Sequence, residues 1–449
     1  MRPDYFVSSP APFRTRPVEE KRDLELEGES LISSSSPSSS TVRKMRTYET
    51  SHGGSLGNVA HVWMPIRAIN RLFMNVYIVL IKAKINVLLP FGPLAVLLHY
   101  LTKNQGWVFF FSLLGITPLA ERLGYATEQL AYYTGPIGGG LLNATFGNVT
   151  EMIISIYALK DGMIRVVQQS LLGSILSNLL LVLGCAFFTG GIVHYQKDQV
   201  FNKAAVVVNS GLLMMTVMSI TFPAVLYFTN SEVLLGKSEL ALSRFISCIM
   251  LVTYATYLVF QFKSHQNLHN PINQEVAQNE EVSDEEGMPE ITWWEAVCWL
   301  AFFTLWISIL SEYLVNTIQG ASESLNISVS FISVILLPIV GNVTEHASAM
   351  MFAMKDKLDI SLGVSIGSST QISMFVIPFC VVAGWIAGKP MDLNFQLFET
   401  ATLFVAILVV VVTLQEGTAN YFKGLMLILC YLVVAASFFL HSDPSNGYY

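Results

Sequence analysis

Glu151 and Glu345 are the residues whose type and setting promise chemistry. Each closes the same pentapeptide, Gly147-Asn148-Val149-Thr150-Glu151 and Gly341-Asn342-Val343-Thr344-Glu345, and each lies within a long apolar stretch. A charged side chain at the centre of a bilayer costs about 3 kcal/mol on insertion scales, so a residue kept there is a functional candidate by default. Positions three and four apart on a helix share a face, which aligns Asn148, Glu151 and Ser155, and likewise Asn342, Glu345 and Ser348. In the helix that follows, Ser174, Ser177 and Asn178 share a face, as do Ser368 and Gln371 in the second copy. This set offers carboxylate, amide and hydroxyl oxygens and no thiol. Such hard ligands suit Ca²⁺, then Mn²⁺ or Mg²⁺, rather than copper or zinc. His346 follows Glu345 directly and is a candidate for tuning its proton affinity. The plainer reading is a core histidine with a satisfied partner.

Two carboxylates balance one divalent cation. Without the cation, burial and mutual repulsion make protons the alternative occupants, and a site that takes either supports exchange. The offset from Gly147 to Gly341 is 194 residues, and the pairs Gly173-Ser174 and Gly367-Ser368 keep it, which marks an internal repeat.

The elements that must position these groups follow from composition. The chain has 449 residues, 53% hydrophobic and 13% charged, against about 25% charged in soluble domains. Apolar runs near twenty residues recur, each long enough to cross ~30 Å of hydrocarbon as a helix. The fold class expected is an all-α membrane protein of about eleven transmembrane helices, with two inverted five-helix repeats and one extra N-terminal helix. The spans are 85–103, 107–124, 127–159, 164–192, 203–229, 241–262, 291–314, 327–354, 361–388, 395–415 and 421–441. The third and eighth are interrupted, by Gly135-Pro136 with Gly138 to Gly140 and by Pro338 with Gly341, as in the broken helices of transporter binding sites. Five crossings separate the two pentapeptides, an odd number, so the copies enter from opposite sides.

Flanking segments complete the layout. Residues 1–57 form a Ser-rich tail expected to be disordered, 58–82 an interfacial helix and 83–104 the extra membrane helix. The repeats occupy 105–263 and 291–441, before a C-terminal tail at 442–449. Between them, 264–290 is an acidic linker with Glu280, Glu281, Asp284, Glu285 and Glu286, read as a solvated tether or a cation-sensing segment. The Arg-rich N-terminal tail favours a cytosolic N-terminus, which places the linker in the cytosol. The five cysteines lie in apolar segments with no C-x-x-C spacing and read as core residues. No cleaved signal is visible. A net charge of −7 gives no reason to expect nucleic acid as a partner. The partners expected are membrane lipid, the cation and protons, with room for a homo-oligomer and no cofactor.

The stretches GNVTEMIISIYALKDGMIRVVQQSLLGSILSNLLLVLG (147–184) and GNVTEHASAMMFAMKDKLDISLGVSIGSSTQISMFVIP (341–378) closely resemble the signature repeats of the cation/proton exchanger family of the calcium/cation antiporter superfamily. INVLLPFGPLA (85–95) and ITPLAERLGYATEQLA (116–131) extend the similarity over roughly residues 80 to 441. The resemblance implies vacuolar Ca²⁺/H⁺ exchange in the fungal style, with the acidic linker also typical. It assigns the paired acids to Glu151 and Glu345 and the polar helix positions to Ser174, Ser177, Asn178, Ser368 and Gln371. The family often has Ala where this chain has Val149, Thr150, Val343 and Thr344, which leaves Ca²⁺ against Mn²⁺ open.

The leading expectation is therefore a secondary antiporter that exchanges cytosolic Ca²⁺ for vacuolar protons. The alternatives are a Mn²⁺/H⁺ exchanger or a Na⁺-coupled calcium exchanger of the same fold. A cation channel is a different class and needs a continuous pore instead of one closed central site. No enzyme is expected, since no H-E-x-x-H metalloprotease motif occurs.

Overall fold

Helix starts fall where short polar residues precede apolar runs. The computed structural model describes residues 73–102, 104–229, 238–276 and 289–441. Residues 73–80 are helical, and a tight 3-10 stretch, Lys84–Leu88, leads into α1 (Phe91–Leu101). There follow α2 (Gln105–Phe146), α3 (Val149–Lys160), α4 (Ile164–Val193), α5 (Lys203–Phe228) and α6 (Ser238–Val276). The second half holds α7 (Trp293–Leu325), α8 (Val329–Gly341), α9 (Val343–Met354), α10 (Leu358–Ile386), α11 (Gln396–Leu414) and α12 (Tyr421–Leu440). A single two-residue antiparallel bridge among the described residues joins β1 (Gln199–Val200) to β2 (Thr418–Ala419).

Capping explains the boundaries. Asn202 Oδ1 accepts from the Ala204 amide at 2.9 Å before α5, and Asn420 Oδ1 from the Lys423 amide at 3.0 Å before α12. Thr292 and Glu295 form a capping box at α7, with the Thr292 amide donating to Glu295 Oε2 at 2.7 Å. α7 ends on Asn326 in the left-handed conformation, φ 53°.

Contacts between loops sort the helix ends onto two faces. On one, Lys82 Nζ meets Glu290 Oε1 at 2.5 Å, Gln199 Nε2 donates to Asp356 Oδ1 at 2.8 Å, and β1 pairs with β2. The exposed Lys82–Glu290 pair and the Tyr125 hydroxyl hold the Glu290 carboxyl below its usual range. On the other, Gln168 Nε2 donates to Asp392 Oδ1 at 2.8 Å, and the Leu393 amide donates to Ser243 Oγ at 3.1 Å. We call these the Glu290 face and the Asp392 face. α3 runs toward the Asp392 face and α9 toward the Glu290 face, so the two copies are inverted. Many large apolar side chains point outward, among them Val252, Leu305, Val412 and Leu432, each more than half exposed. In a bilayer they face hydrocarbon.

The repeat is kept to the residue. α3 and α9 begin and end 194 positions apart, and so do the starts of α4 and α10. Each of these long helices widens into a π turn at the same depth, Ser177–Val182 and Ile372–Val376.

Three expectations are corrected or narrowed. α2 runs unbroken through residues 125–126, where a loop between two spans was expected, because Tyr125-Ala126 contains no helix breaker. The break is at Gly135, with φ 71° and ψ 178°, a conformation essentially restricted to glycine, while Gly138 to Gly140 stay helical. Among the described residues eight helices are long and apolar enough to cross a membrane, or nine with the bent pair α8–α9, so the count of eleven is not confirmed. α6 continues to Val276, into the segment expected as linker. Glu280, Glu281, Asp284, Glu285 and Glu286 lie outside the described residues, as do the tails at 1–57 and 442–449 and most of the interfacial helix at 58–82.

Candidate cation site

Both pentapeptides break a helix in mid-span. The last part of α2 and all of α8 end at Gly147 and Gly341, and α3 and α9 restart after Asn148 and Asn342. α8 and α9 meet at a bend of 52°. Glu151 and Glu345 each occupy the first turn of the restarted helix, where free amides and the helix dipole favour an anion. Both side chains are half-buried.

The breaks face each other across the repeats. A Cβ on Gly341 would stand 3.5 Å from Glu151 Oε1, so the first carboxylate lies against the second motif. The two carboxylates repel each other electrostatically. Buried Asn148 accepts at Oδ1 from Ser368 Oγ at 2.9 Å, and Ser368 Oγ accepts in turn from Asn178 Nδ2 at 3.1 Å. Asn342 Nδ2 donates to the Ser174 carbonyl at 3.4 Å, and Gln371 Nε2 donates to the Ala144 carbonyl. Asn148, Asn342, Ser174, Asn178, Ser368 and Gln371 are thus brought together around the two acids. Ser177 is buried at the start of the π turn, a deformation frequent at functional sites.

Asn178 Oδ1 and Asn342 Oδ1 are buried and unbonded among the described residues, and buried Ser177 Oγ beside them interacts with the Tyr431 hydroxyl. Buried polar atoms are rarely left unbonded. With the two carboxylates they form a set of oxygens that a hard cation, which takes six to eight, would satisfy in part, water supplying the rest. No group of three or more His, Cys, Asp or Glu placed to hold a metal ion occurs among the described residues. Two acids among neutral oxygens suit a cation that must leave again.

Other expectations fared differently. His346 turns back onto its own helix, with Nδ1 2.6 Å from the Asn342 carbonyl and Nε2 unpartnered among the described residues. Ser155 is buried and interacts with the Cys380 thiol, so it does not support Glu151. Thr344 was not singled out as a site residue, yet its hydroxyl donates to Glu345 Oε2 at 2.8 Å. Its place beside the acid in the pentapeptide was the available signal.

The two approaches to the site differ. Toward the Glu290 face, Leu141, Asn143, Thr145 and Gly147 of α2 are exposed, and a cavity of about 390 Å³ lined by Glu128, Tyr132, Gly135 and Gly139 lies near that end. Toward the Asp392 face, Ser330, Ile332, Ser333, Val334, Leu337 and Pro338 of α8 are buried. By this exposure the site is the more open toward the Glu290 face.

Comparison with known proteins follows the same lines. The profile of the sodium/calcium exchanger protein family matches residues 105–263 and 295–440. Vacuolar cation/proton exchanger 2 of Oryza sativa subsp. japonica is 70% identical over 426 residues, 94% of this chain and 97% of the relative. Vacuolar cation/proton exchanger 5 of Arabidopsis thaliana is 69% identical over 375 residues, 84% of this chain and 85% of the relative. Both are plant proteins, in contrast to the fungal style expected from the motifs. Among solved structures, the Ca²⁺/H⁺ antiporter protein YfkE shares 35% identity with a TM-score of 0.65, over 80% of this chain and 99% of that one.

Proposed function

The chain belongs to the sodium/calcium exchanger protein family, and from that premise we propose that it is a vacuolar antiporter that exchanges cytosolic Ca²⁺ for protons. The observation that carries the reading is the pairing of Glu151 and Glu345 at two inverted helix breaks, stitched across the repeats by Ser368 and Asn148. The names of the plant relatives and of YfkE support proton coupling and calcium as cargo.

The mechanism follows from charge. Ca²⁺ entering from the open face is balanced by both carboxylates and held by Asn178, Asn342 and Ser177 oxygens. When it leaves on the other side, two carboxylates face each other in a weakly polar setting, and protons take its place. Inverted repeats let the same site face either side in turn. With the N-terminus in the cytosol, the Glu290 face is cytosolic and the opening is the loading side. The acids at 280–286 act from the cytosol, as a tether or a cation-sensing segment. Mn²⁺ is a second cargo compatible with the same oxygens.

The test is flux in sealed vesicles containing the purified protein. An imposed pH gradient drives uphill Ca²⁺ accumulation without sodium, and accumulation stops when the gradient is collapsed. Flux that only runs downhill, or that requires sodium, contradicts the reading.

A further inference from the structure

The Asp392 side carries a buried ion-pair network that the repeat does not reproduce on the Glu290 side, where Gln199 bonds Asp356 and the Asn202 amide donates to Asp359 Oδ1 at 2.7 Å instead. Glu399, near the start of α11 and 1% exposed, pairs with Arg165 in the first turn of α4. Gln169 Nε2 reaches Glu399 Oε1 at 3.4 Å and Ser330 Oγ, at the start of α8, at 3.0 Å. Arg165 also donates to Gln168 Oε1 at 2.9 Å, and Gln168 holds Asp392 in the loop between α10 and α11. The network therefore ties α8, the half-helix that shuts the Asp392 side, to α4 of the first repeat and α11 of the second.

The repeat makes a control available inside the same chain. At the 194-residue offset, Arg165 corresponds to Asp359, Gln168 to Leu362, Gln169 to Gly363 and Ser330 to Pro136. Glu399 corresponds to Ala205, or to Val206 when the helix starts are aligned. Asp359 and Ala205 are exposed on the Glu290 face. An acid, an aliphatic side chain, a glycine and a proline cannot rebuild the ion pair or its amide bridge. The side without the network is also the open side, where Leu141, Asn143 and Thr145 of the matching half-helix are exposed.

We propose that Arg165, Glu399, Gln169 and Ser330 form a latch that keeps the Asp392 side of the site shut and so biases the molecule toward the state open on the Glu290 face. They are positioning residues, acting on the site through α8 and not by touching the cation. Access must alternate, so opening the latched side requires the pair to separate and α8 to leave α4. A ligand or mutation that weakens the latch moves the population toward the opposite opening, in proportion to the difference it makes between the two states. The proposal rests on the exchanger reading for its meaning, though its test does not need transport.

The experiment uses two reporter cysteines in the full chain, each compared with the parent protein. Ser333→Cys probes buried α8, and Asn143→Cys probes the exposed end of α2. A water-soluble maleimide should label position 333 slowly and position 143 fast. Adding Arg165→Gln or Glu399→Gln should speed labelling at 333 by about tenfold or more, as expected when a buried pair loses one partner, and slow it at 143. The reversed pair Arg165→Glu with Glu399→Arg should restore both rates. Unchanged labelling at 333 in the single variants overturns the latch. Faster labelling at both positions also overturns it, since that reports general loosening. If Glu399→Gln fails to insert, Gln169→Leu keeps the volume, cuts the link between Glu399 and Ser330, and should give the same opposed changes. A protein with another cargo or coupling ion passes or fails this test independently.

Discussion

Ser368 Oγ donates to Asn148 Oδ1 at 2.9 Å, a bond that joins the second repeat to the helix break of the first. Asn148 lies next to the chain turn that presents Glu151, so the bond fixes where the first carboxylate points. A buried neutral bond of this kind contributes about 1 kcal/mol net. A double-mutant cycle on Ser368→Ala and Asn148→Ala should show a coupling of that order in cation affinity. Additive effects would mean that the bond does not position the site.

The carboxylates themselves should tolerate no loss of charge. Glu151→Gln and Glu345→Gln each keep the shape and leave the cation with one balancing charge. Removing one member of a buried charge pair costs at least about 3 kcal/mol, or a factor on the order of 100. Proton-driven uptake in vesicles should fall by that factor in either variant while the protein remains in the membrane.

Gly173 tests the close approach that holds the site together. A Cβ there would lie 2.2 Å from the Val334 carbonyl and 2.7 Å from Pro338 Cγ. Backbone cannot move aside cheaply, so Gly173→Ala should force α4 away from α8 at a cost of ~3 kcal/mol. Thermal unfolding of the purified protein measures it, with Gly363→Ala as the control because nothing lies within 4 Å of an added Cβ there.

Much of this arrangement was legible in the sequence. The duplicated pentapeptide and the 194-residue offset located Glu151, Glu345, Asn148 and Asn342, and the odd number of crossings gave the inversion. A loop was expected at residues 125–126, ahead of the break at Gly135, because apolar content alone cannot divide one long helix; only the backbone shows which of the expected glycines leaves the helical region. Residues Arg165 and Glu399 are 234 positions apart. No local pattern links them, and each reads singly as a helix-end charge. The π turns were also invisible, since a widened turn changes hydrogen bonding without changing hydrophobic spacing.

Asp392 gives a pH prediction outside the membrane. Burial raises its carboxyl above the usual range, against the opposing pull of the Asn394 amide, Gln168 and Arg165. The folded state therefore binds this proton more tightly than the unfolded chain does. The charged carboxylate costs folding stability above the folded pKa, and the cost disappears as pH falls through that value. Asp392→Asn keeps the acceptor for Gln168 and removes the charge. It should raise the unfolding temperature at neutral pH, with the gain fading as the medium becomes acid. A gain that grew on acidification would reverse the sign and refute the assignment.

The central claim is that protons and cation compete for one site built by both repeats. The direct measurement is the half-saturating Ca²⁺ concentration for uptake as a function of pH on the loading side. If Glu151 and Glu345 take either occupant, lower pH raises that concentration, and saturating Ca²⁺ restores the full rate. The curve reports the coupled pair and assigns no value to either residue. A loss of maximal rate that no Ca²⁺ concentration overcomes would contradict the shared site and move proton transfer to another group, with His346 the first to examine.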